Sequence, residues 1–346
     1  MRHEDNFFSL VRSFLTIFLP KQRCFSSNTV KAYRDTINLY RIFCQERKGL
    51  SFTHITFACF THSMMYEFLE WLQGIRNCSA STCNNRLAAL KAFLHYCAIE
   101  EPSLMAIYMN SKKVAALRTS RPKVEYMTES ALKAVLEQPD NRTRCGKRNQ
   151  FFMILLYDSG ARIHEILNLK IKDLHLNADI PCVYLTGKGN KTRAVPLLDK
   201  TILHLHEYLK HFHSQTERKN DDFLFYTTST GKRGKMSEDN VACFLKQYGN
   251  LAREKCSEVP LRIYPHLFRH TRAMHLYQSG VPLSYIKDFL GHTCVNTTDI
   301  YASADTSMMR AALEKVSEKS PNQQGNNEVP IWKENDEMIL KLCGLK

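Results

Sequence analysis

Four residues in the last third of the chain have types and spacings suited to chemistry on a phosphodiester. His266 and Arg269 are 3 residues apart, His292 follows Arg269 after 23 residues, and Tyr301 follows His292 after 9. A tyrosine oxygen that attacks a phosphate needs cationic donors around that phosphate, because negative charge develops on the non-bridging oxygens. Histidine and arginine supply such donors without a metal ion. The spacing therefore predicts metal-free phosphoryl transfer with Tyr301 as the nucleophile.

Length and charge limit the class of protein that can carry this cluster. The 346 residues are enough for two domains with their own cores. The chain has 48 Lys and Arg against 34 Asp and Glu, a formal net charge of +14. Such a surplus favours a polyanionic partner, either nucleic acid or an anionic membrane surface. Composition alone also leaves a generic basic protein open.

The cysteines and the first apolar stretch bear on the compartment. Twelve cysteines are scattered along the chain without a Cys-x-x-Cys motif, which predicts reduced thiols and a cytoplasmic location. Residues 7–19 are apolar, but Arg12 interrupts them and no small-residue cleavage site follows. We therefore expect a packed helix there, with no signal peptide and no membrane span.

A run of histidines raises the question of a metal site. The four alternate with apolar residues on one predicted helix: His204, His206, His211 and His213. No carboxylate or cysteine stands near them at ligand spacing, so we expect neither a metal nor another cofactor.

The first 110 residues have the apolar 3–4 spacing of helices. Residues 27–29 offer an N-cap for the second helix. The polar side of a helix that opens at Ser79 carries Asn84, Arg86 and Lys91, which would suit a helix lying along DNA; a solvated face is the alternative.

A basic segment, 111–123, follows this helical region. It contains Lys112, Lys113 and Arg121 and ends near a proline. These features predict a linker between domains that crosses a phosphate backbone.

Residues 124–318 alternate helical patterns with one hairpin. Helices are expected through 149–159, 200–213, 237–254 and 266–279, and strands at 182–186 and 193–197 flank a Gly-rich turn. The fold class is thus mainly α with a small β-sheet. Residues 319–346 predict a tether that ends in a short amphipathic helix.

These motifs resemble those of the tyrosine recombinases of the phage integrase family, over roughly residues 5–318. The stretch GARIHEILNL (160–169) resembles the family's first-arginine box, with Arg162 at the arginine and Glu165 at an acidic position that commonly follows. Lys188 in the hairpin turn matches the family's mobile lysine. HLFRH (266–270) and LGH (290–292) resemble its two histidine boxes, and Tyr301 stands at the nucleophile.

The resemblance implies a role for each of these residues. Arg162 and Arg269 would clamp the phosphate oxygens as planar forks, which lysine cannot match. Tyr301 would form a 3′-phosphotyrosyl link, and Lys188 would protonate the leaving 5′-oxygen.

Four further assignments follow from the same boxes. We expect His266 to act as an acid–base partner and His292 as a phosphate donor. Glu165 would orient basic side chains, and His270 is expected to be a buried structural histidine. Lys191 and Arg193 are close enough in sequence to compete with Lys188; Tyr277 and Tyr285 are alternative nucleophiles, but both precede His292 and fit helix packing.

The resemblance also implies an organisation and partners. Residues 1–110 would bind the core site, 124–318 would be catalytic, and 319–346 would dock into a neighbouring protomer. The implied assembly is a homotetramer on double-stranded DNA, with accessory recombination proteins as further partners, on the nucleoid of a bacterial cytoplasm and not at a membrane.

Several functions remain to be distinguished at this point. The expected one is site-specific recombination for integration or excision of a mobile element. A recombinase of the Xer kind, which resolves chromosome or plasmid dimers, has the same two-domain layout and is the first alternative. A type IB topoisomerase shares the tyrosine, arginines and lysine, and a non-catalytic DNA-binding regulator could keep the fold.

Overall fold

The computed structural model describes residues 6–119, 124–213, 220–229, 232–291 and 299–302. The chain divides into two compact units, Met1–Pro122 and Lys123–Lys346. The first unit consists of α1 (Phe7–Ser13), a π-helical continuation (Phe14–Gln22), α2 (Ser27–Lys48), α3 (His62–Gly74), α4 (Ala80–Glu100), α5 (Met105–Lys112) and three single 3-10 turns (Phe52–His54, Phe57–Cys59 and Pro102–Leu104).

Aromatic side chains fill the core of the first unit. Phe14, Phe43, Phe68 and Phe93 are fully buried, and they form an edge-on pair (Phe14 with Phe93) and a tilted pair (Phe43 with Phe68). The hydroxyl of Tyr40, which is buried in the same core, donates to the Cys59 carbonyl at 2.6 Å, as a buried hydroxyl must. The packed helix expected over residues 7–19 is confirmed.

Hydroxyl side chains set where the helices of the first unit begin. The side chains of Ser26, Thr61 and Ser79 each accept a hydrogen bond from the backbone N–H three residues later. The cap of α2 is therefore Ser26, one residue before the group expected from the sequence.

The second unit is helical with two small antiparallel sheets. Its elements are α6 (Glu129–Leu136), α7 (Arg144–Ser159), α8 (Ile163–Asn168), a 3-10 turn (Ile171–Asp173), β1 (Leu174–His175), β2 (Cys182–Thr186), a 3-10 turn (Lys188–Asn190), β3 (Thr192–Pro196), α9 (Asp199–Phe212), β4 (Tyr226–Ser229), β5 (Lys232–Lys235), α10 (Glu238–Lys255), α11 (Pro265–Gln278), α12 (Leu283–Leu290) and α13 (Asp299–Ala302). One sheet has the order β1-β2-β3 and the other pairs β4 with β5. The mainly α fold with a small sheet is confirmed, and so is the hairpin of β2 and β3.

The end of α7 brings together the segments that carry the motif residues. α7 ends at Gly160, whose φ of +56° is left-handed. A side chain at Gly160 would lie 2.9 Å from Leu290 Cδ2 and from the ring of Phe289, so only glycine permits this approach. The ends of α7 and α12 are therefore in contact. The first-arginine box (160–169) follows α7, and the LGH motif (290–292) begins at the last residue of α12.

Two further properties of the described residues concern the hydropathy of the helices and the state of the cysteines. No helix in them has the length and apolar character needed to cross a membrane. The ten cysteines that the structure describes are all free thiols.

Candidate active site

Glu165 is a buried carboxylate at the start of α8, and both of its oxygens accept hydrogen bonds. Its Oε2 accepts the backbone N–H of Arg162 at 2.9 Å, and its Oε1 accepts from Nη1 of the Arg162 side chain at 3.0 Å. The sequence predicted that Glu165 orients basic side chains, and the structure places it against Arg162 in this way. The Arg162 side chain is one-third exposed, so part of its fork faces solvent.

Arg193 of β3 is the second partner of Glu165, and it was considered from the sequence only as a rival of Lys188. Its Nη1 and Nη2 donate to Oε1 and Oε2 at 3.0 and 2.8 Å, a bidentate pair. Burial raises the pKa of Glu165, but the hydrogen bonds from Arg193 and Arg162 outweigh it and lower the pKa to about 2. The alternation of the strand indicates this inward position, because Arg193 stands two residues before buried Val195 and therefore on the same, inner face.

Arg269 lies on α11 and is almost fully buried, with 2% exposure. Nη1 donates to the Gly160 carbonyl at 2.6 Å and Nη2 to the Leu290 carbonyl at 2.7 Å. Burial, followed by the charges of Arg162 and Arg193, lowers the pKa of Arg269 to about 9. The guanidinium is still charged at neutral pH, so it brings a positive charge to the junction of α7 and α12.

His266 and His270 lie one turn apart on the same helix as Arg269. Desolvation, then the nearby charges of Arg269 and Arg162, lower the pKa of His266. The His266 imidazole is therefore neutral at physiological pH, the form that accepts a proton.

Tyr301 is 1% exposed, and its hydroxyl lies 3.0 Å from Nδ1 of His270. Burial raises the pKa of Tyr301, and the charge of Arg269 opposes this effect. Burial, then His266 and Arg269, lowers the pKa of His270 to about 4. The predicted nucleophile is thus a protonated, buried phenol beside a neutral imidazole, and the structural role of His270 stays a prediction.

The turn that carries Lys188 adjoins the Arg162–Glu165 pair. A Cβ atom at Gly187 would lie 2.9 Å from Glu165 Oε1 and 3.8 Å from Arg162 Nη1. The backbone of Lys188 follows directly, within a turn closed by a bond of 2.8 Å from Gly187 N to the Lys191 carbonyl. His292 lies outside the described residues, immediately after Gly291.

The residues expected to face DNA in the first unit have mixed surroundings. The Asn84 amide both donates to and accepts from the backbone of Leu117, at 2.9 and 2.8 Å. Arg86 donates to the Ala32 carbonyl at 3.0 Å, and Lys91 donates to the Val114 carbonyl at 2.6 Å. Burial lowers the pKa of Lys91. These three donors hold the unit together, and a DNA role for them stays a prediction.

Lys112 and Lys113 are exposed at the end of α5. Lys113 donates to the Asn110 side chain at 3.2 Å, and the ammonium of Lys112 lies 5.7 Å from the ring centre of Tyr108. Both ammonium groups remain open to solvent, so they suit a phosphate backbone better than the α4 residues do. Arg121 lies outside the described residues.

Comparison with known proteins agrees with the arrangement. Residues 125–308 match the phage integrase family, and residues 12–101 match the phage integrase N-terminal SAM-like domain. A Sinorhizobium fredii protein with the provisional name integrase/recombinase y4rC is 30% identical over 309 residues, which cover 89% of this chain and 91% of that protein. Tyrosine recombinase XerD of Staphylococcus epidermidis is 28% identical over 298 residues, covering 85% and 93%.

Two solved structures share the fold. The XerH recombinase bound to its difH substrate has a TM-score of 0.64 at 23% identity, covering 88% of this chain and 84% of that one. The Tn1549 transposon integrase with circular-intermediate DNA has a TM-score of 0.66 at 18% identity, covering 88% and 98%. The chain therefore belongs to the phage integrase family of tyrosine recombinases, which are site-specific DNA recombinases, and the resemblance seen in its motif residues is confirmed.

Proposed function

We propose that this chain cuts and rejoins double-stranded DNA at specific sites through a covalent bond between Tyr301 and a 3′-phosphate. The observation that carries the proposal is the charge balance around the junction of α7 and α12. Three guanidinium groups meet there, and among the residues that the structure describes the one carboxylate bound to them, Glu165, is paired with two of them. A net positive, partly desolvated site with a tyrosine beside it suits a phosphodiester.

Each residue has a defined part in the proposed reaction. The Tyr301 oxygen attacks the phosphorus and loses its proton to the neutral imidazole of His266, while the bond from phosphorus to the 5′-oxygen breaks. Lys188 gives a proton to that 5′-oxygen, which leaves as a hydroxyl. Arg162, Arg269 and His292 donate to the non-bridging oxygens. The reverse attack by a 5′-hydroxyl rejoins the strand, and the ester keeps the bond energy, so neither ATP nor another cofactor is needed.

The proposed assembly extends beyond one chain. Exchange of two duplexes through a Holliday junction needs four protomers, and the segment 319–346, outside the described residues, would dock into a neighbour. Residues 1–110 would bind the core site and 111–123 would form the linker. The enzyme would act in the bacterial cytoplasm, where the DNA is, with accessory recombination proteins as further partners.

The biological role has two candidates. Integration or excision of a mobile element is the role we favour, and likeness to a transposon integrase supports it. Dimer resolution is the second, because relatives named XerD match almost the whole chain.

Nicked suicide duplexes test both the chemistry and the role. One set is made from the DNA that flanks the gene and the other from the host's dimer-resolution site. Wild-type protein should form a covalent adduct with one set, and Tyr301→Phe should form none while it still binds the same duplex. An adduct with the flanking set supports the mobile-element role, and an adduct with the second set supports dimer resolution. Binding without any adduct would contradict the enzyme and leave a DNA-binding regulator.

Relaxation of a supercoiled plasmid without either site separates a topoisomerase from a recombinase. Relaxation of that plasmid at the rate of a site-bearing plasmid would contradict site-specific recombination.

A further inference from the structure

The C-terminal end of α12 binds three arginines from three different elements. The successive carbonyls of Phe289, Leu290 and Gly291 accept from Arg193 Nε at 3.0 Å, from Arg269 Nη2 at 2.7 Å and from Arg162 Nη2 at 3.4 Å, in that order. The carbonyls at a helix C-terminus have no partners within the helix and carry partial negative charge. This end of α12 is therefore a common frame for the two arginines of the proposed phosphate clamp and for Arg193.

Arg193 differs from the other two in what its donors do. Nε binds α12 and the two terminal nitrogens bind Glu165, so each of its three nitrogens already has a protein partner. Its side chain is 15% exposed, against 33% for Arg162. Arg193 is thus poorly placed to bind a phosphate itself, and its effect must pass through its neighbours.

Glu165 shows what that effect is. The carboxylate is buried and has one negative charge, which Arg162 alone would otherwise have to balance. A guanidinium that pairs with a carboxylate through both of its terminal nitrogens has few hydrogen-bond donors left for a phosphate. Because Arg193 holds both carboxylate oxygens, Arg162 needs to give Glu165 only Nη1, and its positive charge stays available.

Arg193 also links the hairpin to the rest of the site. It stands on β3, directly after the turn with Lys188, and it contacts α12 one residue before Leu290 and two before Gly291. Gly291 makes this possible: a Cβ atom there would lie 3.1 Å from Arg193 Cδ and 3.2 Å from its Nη1.

We propose that Arg193 is a positioning residue of this active site, which neutralises Glu165 so that Arg162 is free to bind the scissile phosphate, and which ties the hairpin to α12. The proposal rests on the proposed function for the identity of the phosphate. That Arg193 contributes more than Arg162 to the balance of the Glu165 charge is a statement about the protein alone.

A double-mutant cycle tests the proposal on whichever nicked duplex the wild type cleaves. Arg193→Met keeps the length of the side chain without its charge. DNA binding should stay within about twofold, and single-turnover cleavage should fall by about 100-fold, because Arg162 turns toward Glu165. Adding Glu165→Gln should then restore at least about tenfold, since the competing charge is gone. A purely structural role predicts that the second substitution lowers cleavage further, and that result would overturn the proposal.

A second measurement does not depend on cleavage. In protein with isotope-labelled glutamate, the carboxyl signal of Glu165 is titrated by NMR in wild type and in Arg193→Met. The pKa should rise from about 2 toward the ordinary value of 4.5 when Arg193 is removed, because one guanidinium, that of Arg162, then opposes the effect of burial where two did before. A pKa that stays near 2 would refute the proposal even if the enzyme cleaves DNA. A wild type that forms no adduct, with the pKa rising as expected, would refute the proposed function alone.

Discussion

The hydroxyl of Tyr301 lies 3.0 Å from Nδ1 of His270, and both side chains are withdrawn from solvent. A hydroxyl buried in this position is not accessible to a phosphate of the DNA backbone. In the proposed reaction, Tyr301 must therefore leave His270 before it attacks. The contact between the two residues therefore stabilises a resting state, whose strength is set by one hydrogen bond and by the burial of one phenol ring.

We expect substitution of His270 by alanine to expose Tyr301. The hydrogen bond and the packing of the imidazole are lost, so the phenol should be nitrated by tetranitromethane at least about ten times faster, as a cost of about 1.5 kcal/mol for opening is removed. Peptide mass spectrometry measures nitration at each site. Tyr285, which is 69% exposed, serves as the internal reference and should react at the same rate in both proteins. Equal protection of Tyr301 in the two proteins would show that His270 does not hold it.

The pKa of His270 predicts how the stability of the second unit depends on pH. The value of about 4 lies below the 6.5 of a free imidazole, so the unfolded chain takes up the proton first as pH falls. The contribution of His270 to the free energy of unfolding is therefore constant above pH 6.5, decreases as pH falls from 6.5 to 4, and levels off below pH 4. Between pH 7 and 4.5 the loss from this group is about 2–3 kcal/mol.

Urea unfolding at those two pH values measures this loss. His270→Gln keeps a hydrogen-bonding side chain but cannot titrate, so its loss over the same interval should be smaller by about 2–3 kcal/mol. The other histidines with lowered pKa, His266 and His275, are present in both proteins and cancel in the comparison. Parallel pH dependence in the two proteins would contradict the assignment.

Local pattern and motif spacing predicted much of this molecule from sequence. The hairpin followed from two β-branched and apolar runs around a Gly-rich turn, and the fully formed helices followed from apolar periodicity. Arg162, Glu165, Arg269 and Tyr301 were selected by residue type and order. The structure places all four around the junction of α7 and α12, although they are up to 139 residues apart in the sequence.

Two features could not be predicted because they depend on contacts between distant segments. The bidentate pair of Arg193 with Glu165 joins β3 to α8, and no local pattern states which acidic residue a strand arginine will meet. Likewise, the sequence placed Asn84, Arg86 and Lys91 on one polar side of a helix, but in the structure Arg86 bonds α2, whereas the other two bond residues 114–117. Only the path of residues 114–117 and the position of α2 show that these donors have backbone partners.

A methyl group at Gly291 should lower the free energy of unfolding of the second unit more than a methyl group at a glycine with open space around it. Gly291→Ala has to adopt a φ of +65° and meets Arg193 at 3.1–3.2 Å, so we expect a loss of about 2 kcal/mol or more, with slower cleavage as Arg193 shifts. Gly280→Ala is the matched control, with a φ of +85° and no atom within 4 Å. It should lose about 1 kcal/mol from backbone strain alone. Equal losses of stability and unchanged cleavage in both variants would contradict close packing of Arg193 against Gly291.

The two groups of polar residues in the first unit should respond differently to substitution. Asn84→Ala removes both hydrogen bonds to Leu117, so the unit should lose about 2 kcal/mol of unfolding free energy, since two backbone groups lose their partner. Lys112→Gln should leave stability unchanged. If the exposed ammonium of Lys112 contacts a phosphate, that variant should weaken DNA binding and reduce the slope of log affinity against log salt by about 1. Urea unfolding and a salt titration of DNA binding on both variants check the pair. A stable Asn84→Ala protein that binds DNA more weakly at an unchanged salt slope would restore the interpretation that Asn84 lies against DNA, because a neutral amide that contacts DNA adds affinity without releasing counterions.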